Sequence, residues 1–210
     1  MKKFIDLTMP LSEQTRVYPG DPAPSIKKVA DFSDKGYYDS FVSFDVHTGT
    51  HLDAPKHFVQ GGHALDSYPL QRFVCRGVLI KAVGEKTIGK ELFQTHEILH
   101  GDAVLIWTQH SDKAHFKDYF ETNPVISTEA AQYLVSKKAS LVGIDSFSVD
   151  NPPFETHKTL LGADVLVLEN LANLASLAGK EFKLFALPAK IAGAEAAPCR
   201  AVAELYDNSR

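Results

Sequence analysis

Short runs of valine, isoleucine and leucine recur along the chain, and glycines and prolines separate them at short intervals. Several of these runs are apolar at every position, which is typical of strands that are buried on both faces of a sheet. The predicted strands cover residues 77–83, 103–107, 141–144, 165–168 and 185–187.

Helical spacing of apolar residues occurs between these runs. Residues 127–136 begin with Ser127 as a capping residue, carry Glu129 in the first turn and then repeat apolar residues at helical intervals. Residues 171–177 form a shorter helical candidate. Strands alternating with helices predict a mixed α/β fold, and without internal repeats or long linkers we expect one domain over residues 1–210.

Composition and charge indicate which classes of binding partner the chain does not suit. The chain of 210 residues is 44% hydrophobic and carries a formal charge of −4, with lysines and arginines scattered rather than gathered in a stripe. We therefore expect no nucleic-acid partner, because such a partner requires a row of cations for its phosphates. No uncharged apolar run reaches the ~18 residues of a membrane span, so we expect no membrane partner either.

The two cysteines and the first ten residues bear on the cellular setting. Cys75 and Cys199 are far apart and outside any C-x-x-C spacing, which favours neither a disulfide framework nor a cysteine zinc site. Asp6 and Pro10 interrupt the apolar core that an export signal would need. We expect a reducing, cytoplasmic setting.

Candidate metal ligands crowd into residues 47–57. If residues 41–57 form an extended strand that runs into a turn, the odd positions share one side. These positions are His47, Gly49, His51, Asp53 and, beyond the turn at Pro55, His57. Two imidazoles and a carboxylate on one side suit zinc or manganese, and three protein ligands leave a position open for catalysis.

Chance is a poor explanation of this crowding, because histidine supplies only 9 of the 210 residues. The role of His57 is open at this point. It could be a further ligand, or a group beside the metal that moves protons.

The sequence His-x-Gly-Thr-His-x-Asp-x-Pro-x-His in this segment resembles the signature of the cyclase family of metal-dependent hydrolases, which includes bacterial kynurenine formamidases. Other parts of the chain resemble the family in the same order. They are Tyr18-Pro-Gly-Asp, residues 101–108, residues 143–150, His157-x-x-Leu-Leu, Glu169-Asn-Leu and Pro198-Cys-Arg200. The segment 193–200 differs from the family's commoner aspartate, glycine and serine before its proline, and we place it outside the site.

The resemblance implies a ligand set. His47 and His51 would bind one metal, Asp53 would bridge two, and His57 would transfer protons. His157 would bind the second metal, and Glu169 would help to hold both. The implied cofactor is two zinc ions, with manganese as an alternative. The implied fold is a swivelling β/β/α domain, a mixed sheet partly closed into a barrel with flanking helices, assembled as a homodimer.

The implied reaction is hydrolysis of a C–N or C–O bond by an activated water. Within the family, the best single choice of small-molecule substrate is N-formylkynurenine, which would yield kynurenine and formate. Tyr18 stands where kynurenine formamidases typically carry tryptophan, and we expect it to stack on the aryl ring. Two alternatives stay open: hydrolysis of a cyclic amide or lactone such as isatin, and a metal-dependent binding module without turnover.

A second metal motif competes with this hypothesis. His96-Glu-Ile-Leu-His100 matches the H-E-x-x-H pattern of zinc proteases, which requires a helix and a third ligand downstream. Gly101 follows at once and a strand-like run then begins, so we do not favour a protease. Ser148 and Asp150 could brace the metal centre, but they equally suit a turn before Pro152-Pro153, so neither they nor Arg200 are assigned a role.

Overall fold

The computed structural model describes residues 2–206 of the chain. Its strands are β1 (Lys3–Asp6), β2 (Ser25–Ala30), β3 (Asp39–Ser43), β4 (His51–Asp53), β5 (Val74–Lys81), β6 (Thr87–Ile88), β7 (Ala103–Trp107), β8 (Val125–Ile126), β9 (Leu141–Ile144), β10 (Leu166–Glu169), β11 (Phe182–Pro188) and β12 (Ala196–Leu205). Its α-helices are α1 (Phe32–Lys35), α2 (Lys90–Gln94), α3 (Thr128–Ser136) and α4 (Glu155–Gly162). Short 3₁₀ helices cover Pro55–His57, Leu65–Ser67, Leu70–Phe73, His110–Lys113 and Leu174–Leu177.

Seven strands close into a barrel in the order β12-β11-β5-β7-β9-β10-β4, and β4 pairs again with β12. Strands β5, β7, β9 and β10 are parallel, whereas β4, β11 and β12 run antiparallel to their neighbours. The long strand β12 closes the barrel because its free edge pairs with β4 at residues 196–198 and with β1 at residues 202–205. The predicted mixed α/β class is confirmed.

Side chains along the barrel strands alternate between the inside and the outside of the barrel, and the two sets form two apolar cores. Along β7, Leu105 points to a core that all seven barrel strands share, while Val104 and Ile106 point to the opposite face. There they pack against Phe93 of α2 and Leu134 of α3, together with residues of α4. The helices therefore form a layer outside the barrel, over its parallel strands.

All five predicted strands are present, with ends shifted by no more than three residues. The predicted helix at 127–136 is α3, and its cap is as expected because the Ser127 hydroxyl accepts the backbone N–H of Ala130 at 3.1 Å. The helical candidate at 171–177 is only partly right. Leu171 makes an isolated bridge with Thr8, and a single 3₁₀ turn follows at Leu174–Leu177.

The predicted extended strand over residues 41–57 is wrong. Strand β3 ends at Ser43, a turn follows, and β4 covers only His51–Asp53. Gly49 has a φ of 69°, a left-handed conformation that breaks any strand and that glycine adopts without strain. The alternation of side chains along a strand therefore explains only why His51 and Asp53 share a side. A turn brings His47 to the same place.

Residues 25–43, which we call the arm, form a two-stranded sheet of β2 and β3 with α1 between them. Every residue of β3 is exposed. Large apolar side chains are exposed as well, among them Val29, Phe32, Tyr38 and Phe41 at 56–74%. An isolated two-stranded sheet is marginally stable in water, and these exposed apolar side chains form an apolar patch on the surface of the arm.

Residues 2–206 contain no helix that is both long and apolar enough to cross a membrane, and the longest α-helix, α3, has nine residues. Both cysteines are free thiols in the interior.

The contact between Gly77 and Phe182 offers a test of the barrel packing. These two residues are register partners on β5 and β11, and a Cβ at position 77 would lie 1.9 Å from the Phe182 ring. Gly77→Ala is expected to lower the free energy of unfolding by about 1–3 kcal/mol, because the buried ring has to move. Gly162→Ala, whose added Cβ meets no atom within 4 Å, is the control. Equal urea midpoints for the two variants would contradict this packing.

Candidate metal centre

Sheet register brings three candidate ligands together. His51 and Asp53 lie two residues apart on β4, so their side chains leave the same face, opposite Leu52 in the barrel core. Strand β10 pairs with β4 so that Glu169 stands directly across from His51. Side chains of directly paired residues share a face, and the Glu169 carboxylate therefore meets the other two groups outside the barrel.

A backbone contact fixes the orientation of the His51 ring. Its Nδ1 lies 2.8 Å from the carbonyl oxygen of Gly49, and because a carbonyl can only accept, Nδ1 carries the proton. The lone pair of His51 is then on Nε2. That nitrogen lies 3.4 Å from Asp53 Oδ1 and 3.4 Å from Glu169 Oε2.

His47 reaches the same cluster from a turn. Asp45 makes this turn by accepting the backbone N–H of His47 on its side chain and that of Thr48 on its main chain, both at 2.9 Å. The turn places His47 Nδ1 3.0 Å from Asp53 Oδ1. The other ring nitrogen, Nε2, faces Glu195 Oε1 at 3.9 Å.

His157 enters from helix α4, and Asp150 positions it. One carboxylate oxygen of Asp150 accepts the backbone N–H groups of Thr156 and His157 at 2.7 and 3.1 Å. The other lies 2.6 Å from His157 Nδ1, which therefore donates. This leaves His157 Nε2 as the lone-pair nitrogen, 3.2 Å from Glu169 Oε1 and 3.8 Å from Asp53 Oδ2.

The donor atoms form two groups that share Asp53. His47, His51 and Asp53 make one group and Asp53, His157 and Glu169 the other, with all atoms of a group within 4.8 Å of one another. Atoms bound at 2.0–2.1 Å to one tetrahedral ion lie about 3.3 Å apart, close to the separations found here. The residues present thus fit divalent ions.

Unsatisfied polar atoms support the same conclusion. His51 Nε2 and both carboxylate oxygens of Asp53 are fully buried and make no hydrogen bond of normal geometry within residues 2–206, although His47 Nδ1 lies 3.0 Å from Asp53 Oδ1. A buried carboxylate without donors is costly, and buried polar atoms are rarely left in this state. A cation between these atoms would satisfy all three.

Charge in the centre also favours a cation. Burial opposes protonation of the rings, but the carboxylates of Asp53 and Glu169 outweigh it and raise the pKa of His51 to about 9. Burial likewise opposes charge on His157, while its contacts with Asp150 and Glu169 raise its pKa to about 10. The negative potential that stabilises an imidazolium here stabilises a divalent cation in the same way.

His57 lies beside the cluster without belonging to it. Its ring centre is 4.2 Å from that of His47 and 6.1 Å from that of His157, and neither ligand group includes it. Burial lowers the pKa of His57 below its usual value, which favours the neutral ring. A neutral imidazole at this place can accept a proton and return it.

A cavity of about 300 Å³ opens above the cluster. His47, His51, His57, His157 and Glu169 form part of its lining. Five aromatic residues also line it: Tyr18, Phe58, Phe120, Phe147 and Phe154. The rings of Phe120 and Phe147 lie 6.0 Å from Tyr18, which remains 43% exposed at the mouth. The cavity has the size and lining of a small-molecule site.

Comparison with known proteins places the chain in a family. The profile of a family described as "Putative cyclase" matches residues 5–151, well over half of the chain. The chain belongs to the cyclase family.

Curated relatives of this cyclase-family chain include kynurenine formamidases of Bacillus cereus and Bordetella avium, each 28% identical to it. The first alignment covers 95% of this chain and 96% of the relative, and the second covers 96% and 98%. The predicted family is therefore confirmed.

Solved structures of the family agree over nearly the whole length. One described as a potential metal-dependent hydrolase with cyclase activity is 31% identical, with a TM-score of 0.81, and covers 99% of this chain and 100% of that chain. Isatin hydrolase A from Ralstonia solanacearum is 24% identical, with a TM-score of 0.89 and coverage of 98% and 92%. The latter likeness establishes the fold alone. The predicted mixed sheet with flanking helices is confirmed, and the sheet closes into a barrel where β4 pairs with β12.

The structure brings all six predicted metal-centre residues of this cyclase-family protein to one place: His47, His51, Asp53, His57, His157 and Glu169. Tyr18 lines the same cavity. The rival motif is not helical, since α2 ends at Gln94, and both His96 and His100 are exposed.

Two residues near the centre were not assigned from the sequence. Asp150 was considered as a brace of the metal centre but was given no partner, because nothing in the spacing ties it to His157. Glu195 lies in the segment that we placed outside the site, yet it directly precedes β12 and its Oε1 lies 3.9 Å from His47 Nε2. Arg200 pairs with Asp6 at the surface, at 2.7 and 2.9 Å.

The Asp150 contact leads to a prediction about metal affinity. Asp150→Asn is expected to weaken metal binding by about tenfold to 100-fold, because the charged partner that orients His157 Nε2 is lost. Competition with a chromophoric chelator measures the affinity. Asp145→Asn is the matched control, since this buried carboxylate accepts hydrogen bonds from Thr108 and Gln109 rather than from a histidine. Equal affinities for the two variants would count against the positioning role.

Proposed function

We propose that this protein is a metal-dependent arylformamidase that hydrolyses N-formylkynurenine to kynurenine and formate. The observation that carries the proposal is the buried cluster of three imidazoles and two carboxylates at the floor of an aromatic cavity. The names of the curated relatives support the choice of a formamide of an aromatic amine. Release of kynurenine would place the reaction in tryptophan breakdown.

We assign His47, His51 and Asp53 to one divalent ion, and Asp53, His157 and Glu169 to a second. Asp53 is the shared ligand because its two oxygens face different histidines. Imidazole and carboxylate donors suit zinc, and also manganese. When bound, such ions supply Lewis-acid activation of a water and of the substrate carbonyl.

His57 is the proton-transfer residue in this proposal. Hydrolysis adds the oxygen of one water to the formyl carbon and breaks the bond from that carbon to the aniline nitrogen. The attacking water gives up a proton, and the leaving nitrogen needs one. His57 borders both ligand groups, holds a neutral ring and lines the cavity, so it takes the first proton and returns it to nitrogen.

The aromatic wall positions the substrate. Tyr18 at the mouth and Phe147 behind it pack against each other with ring centres 6.0 Å apart, and together they form one aromatic side of the cavity. An aryl ring that packs against them keeps its formamide directed towards the metal centre. Stacking and edge contacts of this kind contribute about 0.5–1.5 kcal/mol for each pair beyond the buried area.

One preparation tests both the metal and the substrate. The protein is purified without chelator, its metals per chain are counted by elemental analysis, and hydrolysis of N-formylkynurenine is followed on the same sample, with isatin as the comparison substrate. About two zinc ions with rapid formamide hydrolysis are expected. Metal without formamide hydrolysis would remove this substrate, and turnover of isatin instead would establish the cyclic amide alternative. Failure to bind zinc or manganese when either is supplied would overturn the proposal.

We further propose that the protein is a cytoplasmic homodimer, with the arm at the interface. The exposed Val29 and Phe41 and the unsupported two-stranded sheet favour a second copy as the partner that covers the arm. The free cysteines suit a reducing compartment.

Disruption of the arm gives a prediction about assembly. Phe41→Lys is expected to shift the protein from dimer to monomer, because it would bury a charge in an apolar interface. Light scattering coupled to size-exclusion chromatography measures the mass. Leu70→Lys is the control, at a site that is 69% exposed but outside the arm. A dimer that survives the change at Phe41 would place the interface elsewhere.

A further inference from the structure

Arg16 carries an uncommitted positive charge in the wall of the cavity. It lies two residues before Tyr18, and both side chains line the cavity. Among the lining residues that the structure describes, Arg16 alone has a permanent positive charge. Within residues 2–206 its side chain makes one hydrogen bond, from Nη2 to the backbone carbonyl of His115 at 3.2 Å. His115 lines a second cavity, and Arg16 lies between the two cavities because it lines both.

The guanidinium is not neutralised by a neighbour. Within residues 2–206, no carboxylate lies within 4.0 Å of Arg16, although Asp21 lines the same cavity. The other arginines that flank the barrel have partners: Arg72 pairs with Asp164, Arg76 with Asp102 and Arg200 with Asp6. Arg16 therefore retains most of its five donors for a ligand.

We infer that Arg16 is a specificity-determining residue that binds a carboxylate on the substrate, so that the protein acts on aryl formamides that carry an amino-acid head rather than on neutral ones. This inference rests on the proposed arylformamidase function. A guanidinium pairs with a carboxylate through two parallel hydrogen bonds. A substrate whose formyl group is at the metal centre and whose ring is at Tyr18 directs its remaining side chain towards the mouth, where Arg16 lies.

A comparison of two substrates tests the inference. N-formylkynurenine carries the carboxylate, and N-(2-acetylphenyl)formamide has the same aryl formamide and ketone without the amino-acid head. The measured quantity is the ratio of kcat/KM for the first substrate to that for the second. Arg16→Met is expected to lower this ratio by about tenfold to 100-fold, the loss of a charge-assisted pair of hydrogen bonds.

Two further variants define the effect. Arg16→Lys keeps the charge but loses the paired geometry, so its ratio is expected to lie between those of the wild type and Arg16→Met. Arg200→Met removes an arginine outside the cavity and is expected to keep the wild-type ratio. A ratio that stays constant in Arg16→Met, including an equal loss on both substrates, would overturn the inference.

A protein without arylformamidase activity would give a result different from that of an active protein in which Arg16 has no role. If the wild type hydrolyses neither formamide, the arylformamidase proposal falls, and binding alone then decides the role of Arg16. Calorimetry with kynurenine and with 2-aminoacetophenone, which lacks the amino-acid head, supplies this measurement without turnover. Tighter binding of kynurenine by the wild type than by Arg16→Met, with no such difference for 2-aminoacetophenone, supports carboxylate recognition. Equal affinities of the two proteins for kynurenine would overturn it.

Discussion

Replacement of His57 by glutamine is expected to lower kcat by about 10²- to 10⁴-fold while the protein keeps its full metal content. Glutamine fills much of the volume of imidazole but cannot exchange a proton near neutral pH. The ring of His57 packs against His47 without sharing its ligand group, so the metal centre should survive the change. The measurements are steady-state kinetics with N-formylkynurenine and elemental analysis of the same sample.

The same experiment separates an enzyme from a binding module. His100→Gln, at an exposed histidine of the rival motif, is the control and should retain both activity and metal. If His57→Gln loses metal together with activity, His57 is a ligand. If it keeps both, proton transfer belongs to another group, and a protein that binds metal without turnover in either form would be the non-catalytic module.

Asp53→Asn is expected to remove both ions and to lower kcat/KM by at least about 10³-fold, since the loss of Lewis-acid activation costs several kcal/mol of transition-state stabilisation. The carboxylate of Asp53 belongs to both ligand groups, and its oxygens have no other partner among the described residues. An amide in its place presents one neutral oxygen and an NH₂ group that repels cations. Elemental analysis and kinetics measure the two effects.

Asp102→Asn separates ligation from folding in this test. Asp102 is also a buried carboxylate, but it pairs with Arg76 and lies outside the metal centre. We expect this variant to unfold at a lower temperature and yet to retain its metal. A variant of Asp53 that retains both ions would show that the shared ligand has been assigned to the wrong residue.

Local spacing placed His47, His51 and Asp53 together, as the structure does, but the extended strand on which that prediction was based is wrong. His51 and Asp53 share a side because they are two residues apart on a strand, as the pattern implied. His47 joins them because Asp45 makes a turn and Gly49 adopts a left-handed conformation. The motif thus identified the residues, while the backbone between them depends on turn chemistry that alternation does not describe.

The positions of His157 and Glu169 in the centre depend on pairing between strands that are far apart in sequence. His157 and Glu169 meet Asp53 because β10 lies beside β4 in one register and Asp150 anchors the start of α4. Spacing within one sequence does not encode such a register, and only the family resemblance suggested these residues. Strand β12 was missed for another reason. Its inward positions are mostly alanine, which has a low strand propensity and gives no strong apolar run.

Because β4 lies between β10 and β12, both of its partner strands are synthesised long after it. A ribosome produces the His47–His57 segment early, but β10 comes more than 100 residues later and the segment of β12 that closes the barrel begins only at Ala196. Pairings that span so much chain form late in folding. Until then, the nascent chain holds its first histidines without Glu169 and without a closed barrel around them. The complete ligand set, with Glu169 in place and the barrel closed around it, can therefore form only when nearly all of the chain has been translated.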